Sequence, residues 1–143
     1  MKTYIGTKVI KAEPMRLMAA ERVLNRKIKD GDADGYLVAY EDGYRSWSPR
    51  LVFEKAYRHT NGMTFGLAIE ALKMGKKACR KGWNGKGIFI ELQRPDEHSK
   101  MTSPYIFINT TGLQTNNPDA PKSCVPWLAS QTDMLADDWE IFE

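Results

Sequence analysis

Residues 64–93, TFGLAIEALKMGKKACRKGWNGKGIFIELQ, decide the fold. Thr64 is a helix N-cap type, because its hydroxyl can accept a hydrogen bond from an amide of the first turn. Phe65, Ala68, Ile69 and Leu72 then fall at i, i+3, i+4 and i+7, one apolar stripe of a helix. Gly75 stops that helix, since glycine takes the left-handed conformation of a C-terminus without steric penalty. Lys77–Lys81 reads as a strand and Gly82–Gly87 as a tight turn. Ile88–Gln93 reads as a strand with Ile88, Ile90 and Leu92 on one face. The expected class is α+β, a small antiparallel sheet with one main helix.

Downstream, Pro104–Ile108 opens another strand, closed by Asn109-Thr-Thr-Gly112. Residues 94–103 and 113–123 are polar loops. Val125–Trp127 is extended, Ser130–Leu135 is a turn or short helical piece, and Asp138–Phe142 is the last strand. Upstream, His59-Thr-Asn-Gly62 marks a break between two helical patterns. Residues 1–60 therefore form a separate small module, read as β-α-β-β-α, and residues 63–143 form the second. In the first module Tyr4–Lys11 is a candidate strand. Pro14 suits the first turn of a helix carrying Leu17, Ala20, Leu24 and Ile28 on one face. Tyr36–Tyr40 and Tyr44–Trp47 make a hairpin around Asp42-Gly43, and Ser48-Pro49 starts a second helix.

The chain has 143 residues, 42% apolar and 27% charged, the composition of a soluble globular protein. Its longest apolar run is Tyr36–Tyr40, far below the roughly 18 residues of a membrane span. No apolar leader follows Lys2, so two free thiols, Cys79 and Cys124, in a reducing cytoplasm are expected. Net charge is +3, divided as +4 over residues 1–62 and −1 over residues 63–143. The second module is polarised. Lys73, Lys76, Lys77, Arg80, Lys81 and Lys86 cluster without an acid, and Asp133, Asp137, Asp138, Glu140 and Glu143 end the chain without a base. Either these are two solvated faces that pair across subunits, or the basic run attracts a phosphate-bearing ligand.

Catalytic chemistry is hard to place. His59 and His98 fall in different modules, and the two cysteines and two histidines have no zinc spacing. Nothing brings either histidine to a nucleophile. Cys79 alternates with Ala78 and reads as a half-buried strand thiol. Gly82-x-x-Gly85-x-Gly87 reverses the dinucleotide-binding spacing and precedes a strand, so a Rossmann site is rejected. No metal and no cofactor is expected.

Recognition chemistry is present. Trp83 and Asn84 lie in a glycine-flanked turn beside the basic run. The tryptophan either stacks on a base or caps the core, and Asn84 either reads a base edge or holds the turn. Trp127 precedes Ser130, Gln131, Thr132 and Asp133, four polar groups in a row. Such a row hydrogen-bonds hydroxyls and base edges, or caps the next turn.

Residues 63–91, Pro104–Ile108 and Val125–Ile141 resemble three ordered blocks of the second Thoeris anti-defence family of phage proteins. The resemblance implies a small α+β protein without enzymatic activity, in the cytoplasm of the infected host. It implies a homo-oligomer, typically a tetramer, that sequesters cyclic ADP-ribose isomers such as glycocyclic ADP-ribose. Some members are also thought to capture cyclic dinucleotides, here at a second site, which links the family to CBASS immunity. The ligand contacts expected are Trp83, Asn84, Arg80, Lys86, Asn109, Trp127, Ser130, Gln131, Thr132 and Asp133. Basic groups answer a pyrophosphate, aromatic faces an adenine, and hydroxyl, amide and carboxylate groups the riboses. No membrane and no nucleic acid is expected as partner. The alternative is a single-stranded nucleic-acid-binding module, against which stand the modest charge and the acidic C-terminus.

Overall fold

The computed structural model describes residues 1–143, which divide into two compact units, Met1–Tyr57 and Arg58–Glu143. The break expected at residues 59–62 thus falls slightly earlier. Thr60 accepts the Ile141 amide at 3.0 Å, and Met63 forms a bridge with Trp139, so this segment is zipped to the C-terminal strand of the second unit.

The first unit contains β1 (Lys11–Pro14), α1 (Leu17–Leu24), β2 (Gly35–Ala39), β3 (Arg45–Pro49) and α2 (Arg50–Ala56). Its strands form an antiparallel sheet in the order β1-β2-β3. Leu37 opposes Trp47, and Trp47 packs with Leu17 and Ala20 of α1. Across the sheet, Tyr36 stacks on Phe53 of α2 with ring centroids 4.1 Å apart. A β-carbon at Gly35 would collide with the Trp47 indole, which requires glycine there.

Two expectations for this unit are corrected. The first strand is not Tyr4–Lys11 but Lys11–Pro14, because β2 offers partners only from Ala39 to Tyr36 before the Asp42–Gly43 turn. Residues 1–10 have no ladder to join. The helix starts at Leu17, since the Met15 and Leu17 amides bond Gly35 and Ala33 and keep Pro14 extended. It ends at Asn25, which is left-handed at φ 51°, so Ile28 lies beyond it.

The second unit contains α3 (Phe65–Lys73), β4 (Lys77–Arg80), β5 (Phe89–Gln93), β6 (Tyr105–Asn109), β7 (Cys124–Pro126), α4 (Gln131–Leu135) and β8 (Trp139–Phe142). All five strands are antiparallel, in the order β7-β6-β5-β4-β8. The molecule is therefore α+β. Thr64 caps α3 through the Leu67 amide at 3.3 Å, and Gly75 ends it at φ 81°. α3 lies against β4, β8 and β5 and touches α4. Ala68 and Leu72 from the helix meet Ala78, Ile90 and Trp139 from the sheet in one core. Alternation along the strands sends Lys77, Phe89 and Phe142 to the other face, where the two phenylalanine rings lie 4.7 Å apart. No helix is long and apolar enough to cross a membrane.

Candidate functional site

The floor of the site is Trp139, which is fully buried. Above it stand two half-buried indoles, Trp83 from the turn after β4 and Trp127 from the end of β7. Their ring centroids lie 5.4 Å and 6.1 Å from that of Trp139 and 6.2 Å from one another, all edge to face. That geometry places the positive ring edge against the negative face. Phe65 of α3 tilts against Trp139 at 5.5 Å and Trp127 at 6.3 Å. Trp127 also forms one wall of an open groove of about 570 Å³, floored by Ile69, Leu72, Leu92 and Ile106. Lys73, Arg94 and Tyr105 complete its rim.

Asp133 joins the turn to α4. Its Oδ1 accepts from the Trp83 indole N–H at 3.1 Å and from Arg80 Nη1 at 2.9 Å. Its Oδ2 accepts from the Ser130 amide at 3.1 Å and hydroxyl at 2.8 Å, while its own amide donates to Ser130 Oγ at 3.1 Å. This is a capping box, and it starts α4. The Asp133 carbonyl accepts the Trp139 indole N–H at 2.8 Å. Arg80 Nε donates to Asp138 Oδ1 at 2.8 Å, and Asp138 Oδ2 receives the Gly82 amide at 2.8 Å.

The match with known proteins lies within this unit. Residues 63–142 match the profile of the Thoeris anti-defense 2-like domain. The chain belongs to this family. It is also 36% identical over 87 residues to Thoeris anti-defense 2 of Bacillus phage SP01, spanning 55% of this chain and 93% of that protein. The Thoeris anti-defense 2-like domain thus covers the second unit, and the first unit lies outside the matched residues.

Within this domain the expected contacts separate into two groups and one outlier, Asn109. Arg80, Trp83, Trp127, Ser130 and Asp133 are brought together in the aromatic and hydrogen-bonded cluster. Asp133 is only 9% exposed, and Trp83, Arg80 and Ser130 donate to its carboxylate. Asn84, Lys86, Gln131 and Thr132 are exposed around the cluster, although Lys86 Nζ donates to the Lys81 carbonyl at 2.7 Å. Asn109 stands apart at the end of β6, where its Oδ1 accepts from the Thr111 amide and hydroxyl at 2.9 and 2.7 Å. Its loop still meets the Trp83 turn through the Gln114 amide and the Lys86 carbonyl, at 2.9 Å.

The electrostatics follow from this packing. Burial pushes the Asp133 carboxyl up, but hydrogen bonds from Trp83, Arg80 and Ser130 outweigh it and hold the group at about 2. The Arg80 hydrogen bond holds the Asp138 carboxyl below its usual range, and bonds to Asp138 and Asp133 raise Arg80. Burial and the neighbouring Glu140 push the Cys79 thiol up to about 11, which leaves it protonated and unreactive. The basic and acidic runs meet inside one unit. Arg80 pairs with Asp133 and Asp138, and Lys81 lies 4.0 Å from Glu140. Pairing across subunits is not needed to explain them.

Sequence reasoning missed Asp138 as a site residue, along with Phe65, Lys73, Arg94 and Tyr105. A signal for Asp138 existed, since the acidic run ends in a strand that can pair with the basic one. Arg94 sits in a polar loop that carries no periodicity, so only the fold places it beside the groove.

Proposed function

We propose that this chain captures cyclic ADP-ribose isomers and releases them chemically unchanged, which silences Thoeris signalling in the cytoplasm of an infected host. The observation that carries the reading is the pair of half-buried indoles, Trp83 and Trp127, bordered by the exposed side chains of Asn84, Lys86, Gln131 and Thr132, in a chain of this family. Indole faces suit an adenine, a lysine suits a pyrophosphate, and amide and hydroxyl groups suit riboses. The titrating groups at the cluster support binding over turnover. Asp133 and Asp138 are held as ions by their donors. The ligand is the size of a dinucleotide and the domain is small, so the proposal includes a homo-oligomer, a tetramer, whose pockets lie where copies meet.

The test is incubation with glycocyclic ADP-ribose, followed by heat denaturation and chromatography of the supernatant. Depletion before heating and recovery of intact ligand afterwards is the expected result. A new product points to an enzyme, and no depletion removes the proposal. Light scattering that gives a monomer at micromolar concentration removes the oligomer. A salt titration separates this reading from single-stranded nucleic acid, whose binding falls steeply with salt.

The finer part of the proposal is a second site for cyclic dinucleotides. Lys76 is exposed in the basic run, and Lys86 Nζ donates to a neutral carbonyl, so neither is committed to a carboxylate. A cyclic dinucleotide that binds while glycocyclic ADP-ribose saturates the protein supports two sites. Displacement means a single pocket.

A further inference from the structure

Asp133 meets the Trp83 ring, the Arg80 guanidinium and the start of α4 through one carboxylate. An ionised carboxylate offers about four acceptor directions. Here Trp83 Nε1 and Arg80 Nη1 take Oδ1, and the Ser130 amide and hydroxyl take Oδ2. A ligand hydroxyl could reach this group only by displacing one of those donors. The bond from the indole N–H fixes the rotation of the Trp83 ring, because an indole has that one donor. The turn is tied a second time. Asp138 receives the Gly82 amide directly before Trp83 and holds the other edge of Arg80. Backbone and ring therefore enter the site at set angles.

We propose that Asp133 is a positioning residue, which sets the Trp83 indole to receive a base and couples that ring to the helix start carrying Gln131 and Thr132. The proposal rests on the ligand reading above. Its physical basis is preorganisation. A ring that is already oriented loses little freedom on binding, and a ring free to turn must be ordered by the ligand. A charged acceptor makes a stronger anchor for the indole than a neutral one. The same donors that hold the ring keep the Asp133 carboxyl ionised, at about 2.

Asp133→Asn tests the assignment, because the amide keeps the size but presents two donors where the native group only accepts. Two readings are taken on the folded variant. One is the affinity for glycocyclic ADP-ribose by calorimetry. The other is the indole N–H NMR signal of Trp83 in the ligand-free protein, identified among the four tryptophans by its loss in Trp83→Phe. Positioning moves the indole signal and lowers affinity by about tenfold or more. Lowered affinity with an unmoved indole signal makes Asp133 a direct contact and overturns the proposal. A moved signal with full affinity makes it a purely structural residue and also overturns it. If Asp133→Asn does not fold, Trp83→Phe carries the test, since it keeps a ring and removes the anchored donor. Full capture by folded Trp83→Phe overturns the proposal, because the anchored N–H is then dispensable. Failure of the unaltered protein to bind the probe overturns the ligand reading itself and the positioning role with it. It is told apart from the outcomes above because no variant is needed to see it.

Discussion

Both units anchor a buried tryptophan in the same way, yet they treat charge differently. Trp47 donates its indole N–H to the Met15 carbonyl at 2.8 Å, and Trp139 donates to the Asp133 carbonyl at 2.8 Å. In the first unit the cation of each ion pair lies on the surface. Arg16 bonds Asp32 and Asp34 at 2.7 Å with its side chain 59% exposed. Other cations there rest on rings, as Arg26 does over Tyr44 at 5.6 Å and Lys29 over Trp47 at 5.4 Å. In the second unit the side chains of Arg80 and Asp133 are 13% and 12% exposed, and every polar atom buried in the cluster is bonded. A surface pair is screened by water and adds little. A buried network is costly to desolvate and tolerates no missing member, but it fixes geometry. The difference teaches that the second unit holds its charge where side chains must be aimed, and the first holds its charge where solubility is enough.

The sharpest way to break this comparison is to remove one arginine from each unit. Arg80→Ala leaves two carboxylates facing each other without a counter-ion and is expected to destabilise the second unit by roughly 3 kcal/mol. Arg16→Ala, the surface counterpart, comes last among the stability effects and leaves the melting midpoint nearly unchanged. Calorimetric unfolding of both variants measures the contrast, and equal shifts would erase it.

Next in size are the indoles that line the site. Trp83→Ala and Trp127→Ala are each expected to weaken capture of glycocyclic ADP-ribose about ten- to hundredfold, from loss of roughly 1–3 kcal/mol of stacking. Circular dichroism establishes that the variants fold, and calorimetry gives the affinity. Unaltered affinity in the folded variants returns both rings to the core.

Acid discriminates the units by a smaller amount. The Asp133 carboxyl lies at about 2 in the folded chain against 3.8 for an ordinary aspartate, a difference worth about 2 kcal/mol. Because the folded value is the lower one, the unfolded chain binds protons more readily. The stabilisation is complete above about pH 4 and is lost as the pH falls through 4 towards 2. The Met18 and Ile28 amides lower Asp32 and Glu21 in the first unit too, but their cation partners, Arg16 and Lys27, are about 60% exposed and screened by water. Unfolding followed at pH 5 and pH 2.5 is expected to show the larger loss in the second unit, and Asp133→Asn to remove the excess. The smallest effect is chemical. A thiol reagent at pH 8 is expected to label exposed Cys124 and leave Cys79 unmodified until unfolding.

Local grammar made much of this readable. The Thr64 cap, the apolar stripe through Leu72 and the glycine at 75 describe α3 without reference to anything distant. Asp42-Gly43 and alternating strands did the same for the hairpin of the first unit. What stayed hidden depends on pairing between distant residues. β8 pairs with β4 as the edge strand and so brings Asp138 to Arg80, 58 residues earlier in the chain. The row Ser130–Asp133 has the same letters whether it caps a helix or reads a ligand, and only the positions of Trp83 and Arg80 show that Asp133 is saturated. Residues 4–10 look strand-forming by composition, yet a strand exists only where a neighbour offers hydrogen bonds.

The turn carrying Trp83 and the loop after β6 approach most closely at Gly87 and Gly112. Gly87 is left-handed at φ 81°, and a β-carbon on it would run into the Gly112 carbonyl. This gives an evolving lineage a fixed hinge with free edges. Under the proposed capture, drift toward a new ligand can rewrite Asn84, Lys86, Gln131 or Thr132 one at a time, since all four are exposed. The two glycines cannot take part in that search. A first mutation at either would have to be matched by a second in the facing loop before it brought any benefit, so adaptation at this site proceeds around them.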